Sequence, residues 1–305
     1  MLSSSPPPRL RIAYFGLPLG ALLLARDGHQ LEVCVLSPVA APGARRVRRL
    51  LGPRVLEAER LGAKLEATVD CALASTQPEL LVSWFWTRRL SLEWLAIPKT
   101  AALGVHPSLL PRHRGPDPYY WAIDSGDRET GVTAHLLEAS YDTGALLGEE
   151  RLAIGSRNAW QLARALDRPS LRLLRRVVAA FARGEPPRPV PQDETRVTLA
   201  PMPEGDELHV RWTWPTERVL RRIRALSPVP GVGLEISGTE FHVTAARPAS
   251  GYLAALEPGE ADLRDGVALR TGDGAVVVEQ ARLGDERLVD GVELGRLIRS
   301  SAAPI

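Results

Sequence analysis

Short apolar segments alternate with amphipathic and loop-like segments over the first half of the chain. Leu10–Phe15 and Leu31–Leu36 are predicted strands, and the apolar run between Gly16 and Arg26 is the predicted helix that joins them. A strand, a turn, a helix and a second strand in this order are typical of the start of a parallel α/β sheet. The pattern therefore predicts a Rossmann-like, mostly parallel sheet in an α/β domain.

Later apolar runs extend this sheet. They predict buried strands at Leu80–Trp84 and Ala101–His106, and late antiparallel strands at one edge over Val132–Leu137 and Leu146–Ile154. Leucines near helical spacing predict a long amphipathic helix over Asn158–Arg183.

The pattern is weaker between these regions. Here we predict a helix over Arg54–Leu61, a short strand over Leu65–Thr68 and a helix over Asp70–Thr76, with Asp70 as its N-cap.

A change of composition divides the chain. Residues 184–203 contain six prolines and few apolar residues, which is typical of a linker. Beyond it, a helix over Glu217–Ala225 precedes short strands separated by Gly, Pro and Asp, and a terminal helix follows over Gly291–Arg299. We predict a catalytic domain at 9–184, a linker at 185–206 and a small, OB-like β-barrel at 207–300. The predicted barrel strands are Val232–Ile236, Glu240–Ala245, Val267–Arg270 and Val276–Leu283.

Composition limits the class of protein. Cys34 and Cys71 lie in apolar stretches, so we expect two buried thiols and neither a disulfide framework nor a metal site. No apolar run reaches the length of a membrane span, and the polar N-terminus is unlike a signal peptide. We expect a cytoplasmic protein with no membrane partner.

The charge is nearly balanced but unevenly distributed. With 38 basic and 36 acidic side chains, the formal net charge of +2 does not predict nucleic-acid binding by the whole chain. Arginines cluster over Arg45–Arg49 and over Arg218–Arg224. Such clusters can contact phosphates or simply form a solvated surface, and the sequence leaves both readings open.

The glycine turn after the first strand does not predict a dinucleotide site. The segment Gly16-Leu17-Pro18-Leu19-Gly20 lacks the middle glycine that lets the backbone approach a pyrophosphate. A tight turn into a buried helix explains it better than nicotinamide binding does.

Two polar residues each follow a predicted strand. His106 ends one strand and begins a polar, proline-stiffened loop, and Asp142 lies in a glycine-closed turn after Val132–Leu137. Either residue alone is more often structural. Because ligands of open α/β sheets bind at strand ends, the two together form a candidate acid/base pair.

The motifs around these residues resemble one family. The segment His106-Pro-Ser-Leu-Leu-Pro111, then Arg114-Gly115, Gly131-Val-Thr133 and Asp142-Thr-Gly144 is similar to the folate-dependent formyltransferases, which include the glycinamide ribonucleotide and methionyl-tRNA enzymes. After the linker, residues 212–231 resemble the start of the C-terminal barrel of the methionyl-tRNA group. The resemblance covers nearly the whole chain from Leu10 to Ile298.

The resemblance implies a formyl donor, an acceptor and a set of site residues. The donor would be 10-formyltetrahydrofolate, and the acceptor a primary amine, with the amino group of initiator methionyl-tRNA as the first choice. His106 would polarise the oxyanion, and Asp142 would orient His106 and move protons. Residues implied at the pterin site are Trp84, Phe85, Trp86, Leu90, Leu137, Glu138, Tyr141 and Asp142. Residues implied at the acceptor site are Phe15, Gly16, Ser108, Arg114, Gly115 and Asp117.

One catalytic position departs from the family pattern. The family's asparagine lies two residues before the histidine, where this chain has Gly104. Losing one oxyanion donor typically costs about a hundred- to a thousandfold in rate. A substitute donor such as Ser83, Thr87 or Ser108, a slower or different reaction, or binding without turnover would each accommodate the change.

The acceptor also has alternatives. The basic segment at Pro42–Arg49 is short for a tRNA contact. Asp117, followed by aromatic residues, suits either a pocket for a small amine such as an amino sugar or the N-cap of a helix. The sequence thus favours a methionyl-tRNA formyltransferase, with a small-amine formyltransferase and a non-catalytic folate- or acceptor-binding homologue as alternatives.

Overall fold

The computed structural model describes residues 8–58, 64–251, 255–284 and 287–301. The chain divides into two compact units. The first holds the described residues up to Pro116 together with Gly131–Leu152 and Leu166–Leu199, and the second holds Asp117–Thr130, Ala153–Ala165 and the described residues from Ala200 onward.

The first unit contains most of a largely parallel sheet. Its strands are β1 (Arg11–Gly16), β2 (Gln30–Leu36), β3 (Val55–Glu57), β4 (Leu80–Trp84), β5 (Ala101–His106), β6 (Glu129–Leu136) and β7 (Leu146–Ala153). Their order is β3-β2-β1-β4-β5-β6-β7. The pairs from β3 through β5 are parallel, whereas β5 and β6 are antiparallel. The predicted α/β class, with an antiparallel strand towards one edge, is confirmed.

Helices connect and cover these strands. Those of the described residues are α1 (Pro18–Arg26), α2 (Ala44–Leu51), α3 (Leu65–Thr76), α4 (Leu92–Ala96), α5 (Pro118–Asp124), α6 (Ala159–Ala182), α7 (Thr216–Ala225) and α8 (Gly291–Ser301). The predicted long helix is α6, and its apolar positions are buried as expected from their spacing: Leu162, Leu166, Leu173, Leu174 and Val177.

Strand alternation decides which side chains share a face of this sheet. Phe15, Ser83 and Gly104 are register partners across β1, β4 and β5, and His135 on β6 continues the row. Register partners project to the same face. His106 lies two residues beyond Gly104 and shares that face, whereas Trp84 lies on the opposite one.

Two predictions in the weaker region were wrong, those for Val55–Glu57 and for Leu65–Thr68, whereas the predicted helix over Asp70–Thr76 is confirmed. A 3₁₀ turn over Gly52–Arg54 leads into β3, where a helix was expected, because Val55–Glu57 finds a parallel partner in β2. Residues 59–61 of that predicted helix lie outside the described residues. The predicted strand at Leu65–Thr68 is the first turn of α3, which buries Leu65, Val69 and Leu73 at helical spacing.

Asp70 is consequently inside α3 and is not its N-cap. Its Oδ1 accepts a hydrogen bond from Trp94 Nε1 at 2.5 Å. The longer helix therefore uses this carboxylate to hold a tryptophan of α4 and not to begin a turn.

The second unit contains a curled antiparallel sheet. Its strands are β8 (Val232–Ile236), β9 (Thr239–Pro248), β10 (Ala261–Asp262), β11 (Ala268–Arg270), β12 (Ala275–Leu283) and β13 (Arg287–Asp290). The path runs β10-β11-β12-β9-β8, and β13 also pairs with β12. Register shifts between β9 and β12 around Gln280 increase the local twist. The predicted barrel-like C-terminal region is confirmed.

Two arginines of α7 bind buried groups within the second unit. Arg222 and Arg218 both bind the buried carboxylate of Asp124, at 2.8 Å and 3.0 Å. Arg222 also donates to the backbone oxygens of Asp206, Glu207 and His209. A buried charge needs such pairing, so these two guanidinium groups are committed to structure.

The two thiols differ. Cys34 is buried, and burial raises the pKa of its thiol to about 12. Cys71, on α3, is exposed, which contradicts the expectation of two buried thiols. It lies on the side of α3 away from Leu65, Val69 and Leu73.

Two features are absent from the described part of the chain. None of its helices is both long and apolar enough to span a bilayer. It also holds no group of three or more His, Cys, Asp or Glu side chains arranged to bind a metal ion.

Candidate active site

The site lies where β5 ends beside the loop that follows β6. His106 is the last residue of β5, and Asp142 lies in the turn after β6. His106 Nδ1 is 3.5 Å from Asp142 Oδ1, and the two side chains are only 8% and 16% exposed. The structure therefore brings together the two residues that the sequence singled out.

The second ring nitrogen of His106 has its own partner. Nε2 lies 2.8 Å from the backbone oxygen of His113, a group that can only accept. His113 has a φ of 57°, and its own N–H donates to Thr198 Oγ1 at 2.9 Å. The loop between His106 and His113 thus folds back and fixes the orientation of the imidazole.

Asp142 is held at both its carboxylate and its backbone. Its Oδ2 accepts from the N–H of Gly115 at 2.9 Å. Its φ of 58° lies in the left-handed region, which aspartate tolerates better than most residues. Two residues later, a Cβ on Gly144 would lie 1.9 Å from the backbone oxygen of Leu136, so the turn requires glycine there.

The segment predicted to be a linker supplies a support that sequence analysis missed. Gln192 Nε2 donates to the backbone oxygens of both Asp142 and Gly144, at 2.8 Å each. Arg114 in turn donates twice to Gln192 Oε1 and binds both carboxylate oxygens of Glu194. Arg114 is buried, with 7% of the residue exposed, whereas the carboxylate of Glu194 is exposed.

We predict that Gln192→Leu lowers the rate of the site about tenfold, below the hundredfold that a 1 Å misplacement can cost. The leucine has similar volume but cannot hold the two carbonyls, so the turn at Asp142 loosens. Steady-state rates and a thermal unfolding curve measure this. Glu194→Gln is the matched control, because its exposed carboxylate touches only Arg114 and not the turn. Equal rates in both variants would remove Gln192 from the site.

A second histidine, also missed in the sequence, faces the same carboxylate. His135 Nε2 lies 3.7 Å from Asp142 Oδ1, and its Nδ1 lies 2.8 Å from the backbone oxygen of Leu136. Burial lowers the pKa of His135 to about 4, and the nearby Asp142 only partly offsets this. Its place in a predicted strand was the available signal, but the cross-strand register that matters cannot be read from the chain.

Gly104 lies on β5, directly opposite His135 on the neighbouring strand β6. A Cβ built there would be 3.0 Å from Leu137 Cδ2, 3.6 Å from the backbone oxygen of Ser83 and 3.7 Å from His135 Nε2. The position that an asparagine would occupy is therefore bordered by one flexible leucine and by the imidazole of His135.

Apolar side chains form a wall on the same face. Trp86, Leu90 and Leu137 pack against the core cluster that contains Phe15. The rings of Phe15 and Trp86 meet edge to face, 5.6 Å apart. The indole Nε1 of Trp86 is buried and has no hydrogen-bond partner among the described residues. This is a donor available to a polar group that enters from the site.

Other predicted site residues lie near this wall or its rim. Phe85, with a φ of 54°, contacts Trp84 edge to face, and Gly16 ends β1. Glu138 and Tyr141 are exposed in the loop that carries Asp142. Arg89 donates to the backbone oxygen of Ala139 at 2.8 Å and ties this loop to the one after β4.

Three predicted residues are engaged elsewhere. Trp84 donates its indole N–H to Ser170 on the opposite face of the sheet. Ser108 is fully buried and donates to the backbone oxygen of Arg112. Asp117 caps α5 by accepting from the N–H of Tyr120, and burial raises the pKa of its carboxyl. These contacts favour structural roles for all three side chains.

The first arginine cluster is presented to solvent. Arg45, Arg46 and Arg49 are exposed on α2, whereas Arg48 binds Glu57. Helix α2 follows β2, whose carboxyl end lies at the same sheet edge as that of β5, because the strands between them are parallel. The exposed basic face of α2 therefore belongs to the same edge of the sheet as the site.

Comparison with known proteins finds relatives over most of the chain. The profile of the family described as Formyl transferase matches residues 24–174, and that of its C-terminal domain matches residues 204–297. The methionyl-tRNA formyltransferase of Anaeromyxobacter dehalogenans strain 2CP-1 is 32% identical, with 95% of this chain and 97% of the relative covered. That of Roseiflexus castenholzii is 31% identical, with 95% and 96% covered.

Solved structures share the fold at lower identity. HypX from Aquifex aeolicus in complex with tetrahydrofolic acid superposes with a TM-score of 0.66 at 21% identity, over 96% of this chain and 47% of HypX. The chain thus spans about half the length of HypX. An N-formyltransferase from Helicobacter canadensis, solved with folinic acid and dTDP-3-aminofucose, gives a TM-score of 0.65 at 12% identity, over 87% of this chain and 97% of that one.

Proposed function

The chain belongs to the formyl transferase family, and from this premise we propose that it transfers a formyl group from 10-formyltetrahydrofolate to the amino group of methionyl-tRNA. The observation that carries the proposal is the pairing of His106 with Asp142, 3.5 Å apart at the end of β5, in a chain related over 95% of its length to such an enzyme.

The residues present fit a folate donor. A pterin is a flat ring system with polar edges, and the partly buried Trp86, Leu90 and Leu137 offer apolar surface on the site face of the sheet. The partnerless Nε1 of Trp86 offers a buried donor. A buried donor without a partner costs free energy, which a polar ring atom would recover. The donor supplies an activated formyl group.

His106 and Asp142 would then have different roles in the reaction. His106 has its Nε2 occupied by the oxygen of His113, so only its Nδ1 can donate to the developing oxyanion. Asp142 Oδ1 faces that nitrogen at 3.5 Å. A donor fixed in place before the reaction stabilises developing charge without reorganisation, and the contacts at His113 and Gly115 provide that rigidity.

The acceptor follows from a different set of observations. The C-terminal region matches the second family profile, as a relative acting on methionyl-tRNA would, and the exposed arginines of α2 are suited to phosphates. Asp117, which favoured a small amine in the sequence, is the cap of α5. We therefore propose a tRNA acceptor in preference to an amino sugar.

Turnover with defined acceptors tests the proposal. The purified chain is given 10-formyltetrahydrofolate with charged initiator tRNA, with amino sugars or with simple amines, and tetrahydrofolate release is followed. We expect formyl-methionyl-tRNA as the main product. Turnover only with amino sugars would establish the small-amine alternative. Tight donor binding without any turnover would establish a binding protein.

We predict that Arg46→Ala raises KM for charged tRNA several-fold and makes it less dependent on salt, because one phosphate contact is lost. The donor KM and kcat stay unchanged. Lys99→Ala is the matched control, since this exposed cation precedes β5 at the opposite sheet edge. Equal effects of the two substitutions would show general attraction only and not a contact at α2.

A further inference from the structure

The two ring nitrogens that face Asp142 Oδ1 carry no hydrogen with which to bind it when both histidines are neutral. His106 and His135 each use one ring nitrogen to face a backbone oxygen at 2.8 Å, which fixes a proton on that nitrogen. Their other nitrogens both face Asp142 Oδ1, at 3.5 Å and 3.7 Å. With both rings neutral and Asp142 ionised, three lone-pair atoms would confront one another. A proton delivered to this cluster would relieve that contact.

The two histidines are not equivalent holders of that proton. His135 is the more buried, with 3% of its side chain exposed against 8% for His106, and it lies farther from Asp142. Burial lowers the pKa of His135, and the charges of His106 and Arg114 act in the same direction. His135 Nε2 therefore stays unprotonated and directed at the carboxylate.

We propose that His135 completes a proton relay with Asp142, in which Asp142 receives the proton of the attacking amine and shares it with His135 Nε2. This inference rests on the proposed function. His135 is thus a positioning residue that acts through Asp142, while His106 remains the donor to the oxyanion.

The step balances with the groups named. The amine lone pair forms the bond to the formyl carbon, and the π pair of the carbonyl moves onto its oxygen. The resulting ammonium gives one proton to Asp142 Oδ1, which then donates to His135 Nε2. When the carbonyl re-forms, the bond from carbon to N10 of the folate breaks, and the proton returns through Asp142 to N10. The net change moves one proton from the amine to N10.

The position of Gly104 agrees with a role for His135 in proton transfer and for His106 at the oxyanion. An asparagine there would add a donor beside the oxyanion, whereas here its space borders His135 Nε2 at 3.7 Å. The site has lost a fixed donor and holds an acceptor next to the vacated position. Its chemistry thus relies more on moving a proton than on an additional hydrogen bond to the oxyanion.

His135→Gln tests the relay, because the amide can accept a hydrogen bond but cannot take a proton. We expect kcat to fall at least about tenfold with little change in the donor KM. In the unaltered chain, kcat should fall with decreasing pH as His135 becomes protonated, and His135→Gln should lose that part of the profile. His29→Gln, a change to a buried histidine remote from Asp142, should leave rate and profile unchanged.

A spectroscopic readout is independent of turnover. In protein labelled with ¹⁵N-histidine, His135 should show a protonated Nδ1 and an unprotonated Nε2 at pH 7. The opposite tautomer, a near-normal rate in His135→Gln, or a lower rate with an unchanged pH profile would each overturn the relay. Absence of turnover in the unaltered chain would instead overturn the proposed function, and the relay with it.

Discussion

Asp142→Asn lowers the rate of formyl transfer about a thousandfold, within the range for a positioned acid/base group. Asparagine keeps an oxygen that can accept from the N–H of Gly115, and it tolerates the φ of 58° at this position. The fold should therefore persist while the site loses its proton acceptor and the negative charge that faces His106. Single-turnover rates with saturating donor measure the effect, and a thermal unfolding curve confirms that the fold is intact.

The control for this substitution is an exposed carboxylate outside the site. Glu149→Gln removes a charge of the same sign from β7, where Glu149 pairs with Arg151 at the surface, and it should leave the rate unchanged. His106→Asn should reproduce most of the loss seen in Asp142→Asn, and the double variant should lose little more, because the two groups act as a unit. A rate within threefold of normal in Asp142→Asn would refute the mechanism.

Gly104→Asn raises the rate of formyl transfer up to about a hundredfold, because it adds a fixed donor beside the oxyanion. The backbone of β5 accepts a side chain there, and the closest contact of the new Cβ is the flexible end of Leu137, at 3.0 Å. That leucine must shift by a few tenths of an ångström, which is a small cost. The measurement is kcat with methionyl-tRNA and with the best amine of the acceptor panel.

Gly104→Ala separates the amide from the space it takes up. Alanine makes the same contact with Leu137 and offers no donor, so it should lower the rate slightly or leave it unchanged. A gain in both variants would point to altered packing of Leu137. No gain in Gly104→Asn, with the fold intact, would mean that the site already works without a donor at this position.

Much of the sheet could be predicted because long apolar runs of parallel strands leave a clear signal. The runs ending at Phe15, Trp84 and His106 were each assigned as strands, and their carboxyl ends meet where ligands of such sheets bind. The predictions for Val55–Glu57 and Leu65–Thr68 failed because local patterns there are ambiguous. The edge strand β3 depends on its pairing with β2, and α3 begins within a segment whose apolar residues suit either structure.

The site itself was only half predictable. His106 and Asp142 stand out by motif, and the structure brings them together. His135 and Gln192 do not stand out, because their importance arises from contacts with Asp142 across 7 and 50 positions of sequence. Alternation on β6 indicates a face for His135 but not its neighbour, and a proline-rich segment gives no sign that one glutamine binds two carbonyls.

The segment around Gln192 bears on how this protein can be divided. A fragment ending near Gly184 would retain every strand of the first sheet and both residues of the acid/base pair. It would lack Gln192, whose amide binds the backbone of the turn at Asp142. Residues to Leu199 are therefore part of the minimal catalytic body, and exchanging C-terminal regions between relatives would preserve the turn only if the junction lies beyond them.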